Sequence, residues 1–69
     1  MKFDYAKLLG RMREKGFTQE SLAKEIGINE STLNSKLKNR SYFNAREIDK
    51  TCEVLNIPIE EIGTYFYTR

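Results

Sequence analysis

Thr18–Asn39, TQESLAKEIGINESTLNSKLKN, is the stretch on which the fold turns. Behind Thr18, whose hydroxyl can cap a helix, Leu22, Ala23 and Ile26 recur at helical spacing, and Glu20 complements the dipole of the first turn. Gly27 ends that helix, because a sharp reversal needs a left-handed backbone and glycine adopts it without a Cβ clash. Ile28 turns inward, and Asn29 caps a second short helix whose inward contacts come from Leu33 and Leu37, one turn apart. The spacing predicts two short helices hinged at Gly27, the second polar on one face and apolar on the other.

The same period extends in both directions. Tyr5, Leu8, Leu9 and Met12 form one stripe between Asp4, an expected N-cap, and Gly16, an expected stop, which predicts a first helix from about Asp4 to Lys15. Asn44 followed three residues later by Glu47 resembles a capping box, and Ala45, Ile48, Cys52 and Leu55 recur behind it as a fourth helix. Pro58 suits a new first turn, and Ile59, Ile62 and Phe66 give a short fifth stripe that Gly63 keeps brief. Thr64 to Thr68, rich in β-branched and aromatic residues, can alternatively be extended. The expected fold is all-α, five short helices without a regular sheet, forming one domain over residues 1–69.

With 69 residues, 39% hydrophobic and 32% charged, the chain has room for a single modest core. Such a core supplies roughly 3–5 kcal/mol, so helix packing or dimerisation has to help. Cys52 is the lone cysteine and histidine is absent, which excludes an internal disulfide and leaves a structural zinc site without ligands. At its place on the fourth stripe Cys52 reads as a small buried hydrophobe. No apolar run approaches the roughly 18 residues needed to span a membrane, and the N-terminal MKFDYAKLLG lacks the apolar stretch of a signal peptide. A cytoplasmic protein with no membrane partner is expected.

The net charge of +2 is small, but the charges are sorted. From Ser31 to Arg46 there is no acid, while Lys36, Lys38, Arg40 and Arg46 are basic; beyond it Glu47, Asp49, Glu53, Glu60 and Glu61 face only Lys50. A basic front and an acidic rear attract a polyanion in one orientation even when the net charge is near neutral. A solvated basic loop accounts for the run equally well. An α-helix fits the major groove of DNA, and the outward face of the third helix carries side chains that donate and accept hydrogen bonds there. Glu30, Ser31, Thr32, Asn34 and Ser35 are the candidate base readers; Gln19, Lys36, Lys38, Asn39 and Arg40 are the candidate phosphate contacts. The glutamate is ambivalent: its carboxylate accepts from cytosine but is repelled by phosphates. Phe43 is expected in the core, while Tyr42 is free to stack or to close a core edge.

Phe17 to Asn39 resembles the phage repressor and Cro type of helix-turn-helix, the Xre family. The matching positions are Thr18-Gln19, Leu22-Ala23, Ile26-Gly27, Ser31-Thr32-Leu33 and Asn39-Arg40, and the spacing to Ile48, Leu55 and NIPIEEI extends the likeness over nearly the whole chain. The resemblance implies a five-helix domain that binds double-stranded operator DNA as a homodimer, with bases read from the start of the third helix. By matching position Gln19 takes the phosphate or buttressing role, Glu30 and Ser31 the first base-facing pair, and Asn34 and Ser35 the next turn. Three positions depart from the pattern. Lys36 stands where many relatives carry a large apolar residue, so Leu37 is expected to provide the anchor while Lys36 snorkels toward solvent or phosphate. Asn39 replaces a glycine but can still adopt the left-handed conformation. Glu30 replaces a neutral amide.

The expected function is that of a small Cro-like transcriptional regulator of a phage or mobile element, acting by occupancy. Tyr65, Phe66 and Tyr67 are the candidate dimer seam, with packing under the first helix equally open to Phe66. The alternative is a helix-turn-helix chain that works mainly by binding a partner repressor protein, through its acidic rear or its third helix, and Glu30 favours it. An antitoxin is a weaker third reading. No nucleophile-base pair, glycine-rich phosphate loop or metal constellation points to an enzyme, a cofactor or a small-molecule ligand.

Overall fold

The computed structural model describes residues 2–69 and consists of five helices, α1 (Ala6–Glu14), α2 (Gln19–Ile26), α3 (Glu30–Leu37), α4 (Ala45–Leu55) and α5 (Ile62–Phe66), the last entered through a 3₁₀ turn at Ile59–Glu61. Their ends follow one scheme. Gly16, Gly27, Asn39 and Asn56 stop the first four helices with positive φ, at 80°, 80°, 63° and 55°. Each reversal returns a backbone N–H to the last turn: Phe17 to Met12, Ile28 to Ala23, Arg40 to Ser35 and Ile57 to Cys52, at 2.8–3.0 Å. Carbonyls that the helix ends would leave orphaned are thereby satisfied.

The starts use side chains. Thr18 accepts from the Ser21 N–H and Ser21 answers by accepting the Thr18 N–H, while Asn44 and Glu47 make the same reciprocal box on α4. Asn29 caps α3 by accepting the Thr32 N–H. In α1 the expected cap is displaced: Tyr5 occupies the N-cap position, and Asp4 Oδ1 accepts the Ala6 N–H at 2.9 Å from just outside the helix.

Leu8 and Met12 of α1, Leu22, Ala23 and Ile26 of α2, Leu33 of α3, Ile48, Cys52 and Leu55 of α4, and Phe66 of α5 meet in one core. Arg11 ties α1 to the end of α4, its Nε donating to the Leu55 carbonyl at 2.9 Å and its Nη2 to that of Asn56 at 2.7 Å. A cation is well placed there, at the negative end of a helix dipole.

Two expectations for the C-terminal segment change. Ile59 is 77% exposed, and Ile57 is buried in its stead. The left-handed reversal at Asn56 folds Ile57 back over the end of α4, where a hydrophobic residue closes the cap, and the extended Pro58 then rotates Ile59 outward. Phe66 is only 1% exposed, which withdraws it from the expected dimer seam because its ring is already consumed by the core. The segment is helical to Phe66 and irregular from Tyr67 to Arg69.

Both termini gather at the C-terminal end of α3. Asn39 Oδ1 accepts the Phe3 N–H at 2.7 Å while its Nδ2 donates to the Phe3 carbonyl at 2.9 Å. The Asp4 N–H donates to the Thr68 carbonyl, and the Arg69 guanidinium lies 5.3 Å from the centre of the Phe3 ring.

Candidate recognition surface

α2, the left-handed turn at Gly27 and α3 reproduce the predicted pair of hinged helices. Leu22, Ala23 and Ile26 bury the inner face of α2, and Asn34 Nδ2 on α3 donates to Gln19 Oε1 on α2 at 3.0 Å. That bond spans the two helices at the edge of the outward face. Glu30, Ser31, Asn34, Ser35 and Arg40 line an open polar cleft along α3, so the expected readers other than Thr32 do converge on one surface.

Thr32 is half-buried, and its Oγ1 donates to Asn29 Oδ1 at 2.8 Å; Ser31 Oγ, exposed, donates to the same oxygen at 2.9 Å. Both hydroxyls are engaged in organising the start of α3. Gln19 is half-buried against Asn34, the buttressing rather than the freely extended arrangement.

The phosphate set divides. Lys38 and Arg40 are exposed. Asn39 spends its side chain on Phe3, which its left-handed backbone turns toward the N-terminal arm. Lys36 corrects the sequence reading outright: it is only 8% exposed, and its Nζ lies 2.6 Å from Glu47 Oε1 and 3.0 Å from the Tyr42 carbonyl oxygen. It points into the molecule because it shares the inner arc of α3 with Leu33, and Glu47 on α4 supplies a counter-charge there. Leu37, expected to be the anchor, is half-buried and packs on the core edge. Burial pushes the Glu47 carboxyl up, but the Lys36 ammonium, the Asn44 N–H and the Arg46 charge together outweigh this and hold it below the usual carboxylate range. The clue available in the sequence was the register of Lys36 and Glu47 with neighbouring buried positions; that the two would meet was not visible.

The charge of the surface changes accordingly. With Lys36 internal, Lys38, Arg40 and Arg46 remain as the exposed cations of the acid-free run. Glu20 and Glu30 sit exposed in the first turns of α2 and α3. Helix N-termini are natural phosphate sites, and here a carboxylate stands at each.

An aromatic patch forms around Phe3. Phe3 packs against Tyr42 and Tyr67 with ring centres 6.3 and 5.7 Å apart and nearly perpendicular planes. Tyr42 is 64% and Tyr67 54% exposed. Phe43 turns inward onto Tyr5 and Phe66 at 5.5 and 5.3 Å, as its expected core role required. Burial, followed by the neighbouring Tyr67 and Tyr42, raises the Tyr5 phenol above its ordinary value. Cys52 is buried and free, its thiol pushed up by burial and by Asp49. Among the described residues no group of three or more His, Cys, Asp or Glu is placed to hold a metal, and no helix is long and apolar enough to cross a membrane.

Over residues 1–69 the chain matches the family described as "Protein of unknown function (DUF739)", and it belongs to that family. Among solved structures it is similar to the modulator of repression (MOR) of the temperate bacteriophage TP901-1 from Lactococcus lactis, with 36% sequence identity and a TM-score of 0.81. The match covers 97% of this chain and 90% of that one. No curated protein matches. The fold is thus that of a small phage regulatory protein.

Proposed function

We propose that this chain is a modulator of repression: a helix-turn-helix protein that adjusts a phage genetic switch by binding another regulator, a DNA-binding repressor. The observation that carries this reading is the electrostatics of α2 and α3. Glu20 stands in the first turn of α2 and Glu30 in that of α3, the helix starts that a DNA-reading protein brings to phosphates and to base edges, and Lys36 is withdrawn into an internal ion pair. A face so altered is weakened toward a polyanion, whose binding draws most of its affinity from phosphate contacts. The same carboxylates complement a basic protein surface, and a repressor's operator-binding face has to be basic. The exposed Tyr42, Tyr67 and Arg40 suit a partner contact, since Trp, Tyr and Arg are enriched among the side chains that dominate protein interfaces. The similarity to a protein named for modulating repression supports the reading.

The test is an operator-binding assay with purified cognate repressor. Adding this chain is expected to change the repressor's operator affinity, and a complex is expected by gel filtration in the absence of DNA. No complex and no change would overturn the reading.

Direct operator binding is the second reading, favoured by the polar cleft of Glu30, Ser31, Asn34, Ser35 and Arg40. Its contacts would be these side chains and Thr32 to bases, with Gln19, Lys38 and Arg40 toward phosphates. The molecule extends about 25 Å along its longest axis, less than the roughly 34 Å between half-sites, so that mode needs two copies on DNA. Sequence-selective duplex binding by this chain alone, weakening with salt and with Lys38→Ala, would establish it.

A further inference from the structure

Helix packing alone gives no reason for charge at Lys36 and Glu47. Apolar side chains of similar volume would hold α3 on α4 equally well or better, because desolvating two buried ions offsets their mutual attraction. Apolar residues cannot, however, hold backbone polar groups, and this pair holds one at each of its members. Lys36 Nζ donates to the Tyr42 carbonyl at 3.0 Å. Glu47 Oε1, which takes the same ammonium at 2.6 Å, also accepts the Asn44 N–H at 2.9 Å. The two backbone groups flank Phe43, whose ring turns inward. With its carbonyl drawn toward the pair, Tyr42 stands 64% exposed with its ring edge-on to Phe3, in the same 38–44 segment as the exposed Arg40. Among the described residues every buried side-chain nitrogen or oxygen has a partner, so the network is closed.

We infer that Lys36 and Glu47 are positioning residues for a recognition loop, residues 38–44: they touch no partner themselves but fix its 42–44 backbone, and with it the presentation of Tyr42 to one. The inference rests on the partner-binding reading above in what it says of affinity, and on this chain alone in what it says of loop order. A loop set in advance loses less freedom on binding, so its order appears as affinity. Replacing both charges together by neutral side chains of similar volume separates loop order from global stability.

The test variant is Lys36→Met/Glu47→Gln, which removes both charges and keeps an acceptor for the Asn44 N–H. Its melting temperature is expected to stay within about 5 °C of the unaltered chain, since a neutral replacement of a buried pair is close to stability-neutral. Backbone order parameters from ¹⁵N relaxation at Ser41 and Tyr42 are expected to fall from about 0.85 to below about 0.6. Affinity for purified cognate repressor is expected to drop about tenfold, an interface effect of the size that ordering one segment commands. A loop as rigid as before, or a loosened loop with unchanged affinity, overturns the inference. Should the variant not fold, the unaltered chain still decides, because a mobile Tyr42 backbone in the free protein is incompatible with the device. If the unaltered chain binds no repressor, the partner reading fails, while the order parameters continue to test whether the pair sets the loop.

Discussion

α2 and α3 have the same length, eight residues, and each is capped by a side chain and stopped by a left-handed residue, yet they are held in the fold by different physics. α2 buries Leu22, Ala23 and Ile26; α3 buries Leu33 and Lys36. One is fixed by excluding water from aliphatic surface, which no single hydrogen bond controls. The other buries one leucine fully, with Leu37 at the core edge, and relies besides on one ion pair, whose geometry is directional and whose strength follows pH. The helix proposed to face a partner is therefore also the helix most sensitive to one polar substitution.

The largest effects break each side of this contrast in turn. Glu47→Leu leaves the Lys36 ammonium buried without a counter-charge and is expected to destabilise by about 3–5 kcal/mol. Leu22→Ala, at a fully buried position, is expected to lose about 2–5 kcal/mol through lost burial and the cavity left behind. Either is comparable with the whole stability of a domain this small, so both variants should be largely unfolded in urea titrations at 25 °C. A loss under about 1 kcal/mol for Glu47→Leu would mean that α3 is held by its apolar contacts, Leu33 and Leu37, without the ion pair.

Acid should separate the helices more gently. The Glu47 carboxyl titrates lower in the fold than in the unfolded chain: burial raises it, but Lys36, the Asn44 N–H and Arg46 outweigh that effect. Its contribution is fully present above the unfolded value, about 4.3, and is lost as pH falls through the depressed folded value. The urea midpoint is expected to decline as pH falls below about 4.3, and the decline should be shallower in Glu47→Gln. Identical slopes for the two proteins would show that other carboxylates govern acid unfolding.

Apolar periodicity made α2 legible in the sequence and left α3 half-read. The stripe, the caps Thr18, Asn29 and Asn44, and the stops at Gly16 and Gly27 are local signals, and the structure has them where the chain announces them. Lys36 reads as solvated because a lysine ordinarily is, and its burial depends on Glu47, eleven residues away on another helix. Ile57 and Ile59 exchange places for a similar reason: the left-handed Asn56 redirects the chain, and a period drawn across it loses phase. Of the surface, the cleft residues were readable as a polar helix face, whereas the joining of Tyr42 to Phe3 and Tyr67 needed the two termini brought together in space.

The caps give a finer comparison. Thr18→Ala and Asn29→Ala should each lose about 1 kcal/mol. The second loss should be the larger, because Asn29 Oδ1 gathers the Thr32 N–H and the hydroxyls of Thr32 and Ser31, whereas the Thr18 box involves Ser21 alone. Equal losses in thermal melts would mean that the hydroxyls find water at no disadvantage.

The smallest expected change in stability carries the most weight for function. Glu20→Gln/Glu30→Gln removes the carboxylates from the first turns of α2 and α3 and should lower stability by only a few tenths of a kcal/mol, about the value of an exposed charge at a helix dipole. Its effect on partners should run in opposite directions. If these acids turn the helix pair away from DNA and toward a basic protein surface, the variant binds duplex more tightly at low salt, with a steeper salt dependence, and binds the repressor more weakly. Tighter binding to both would mean that the acids only moderate net charge. Weaker duplex binding would make Glu30 a reader of bases, and the helix pair would then be a DNA-binding face after all.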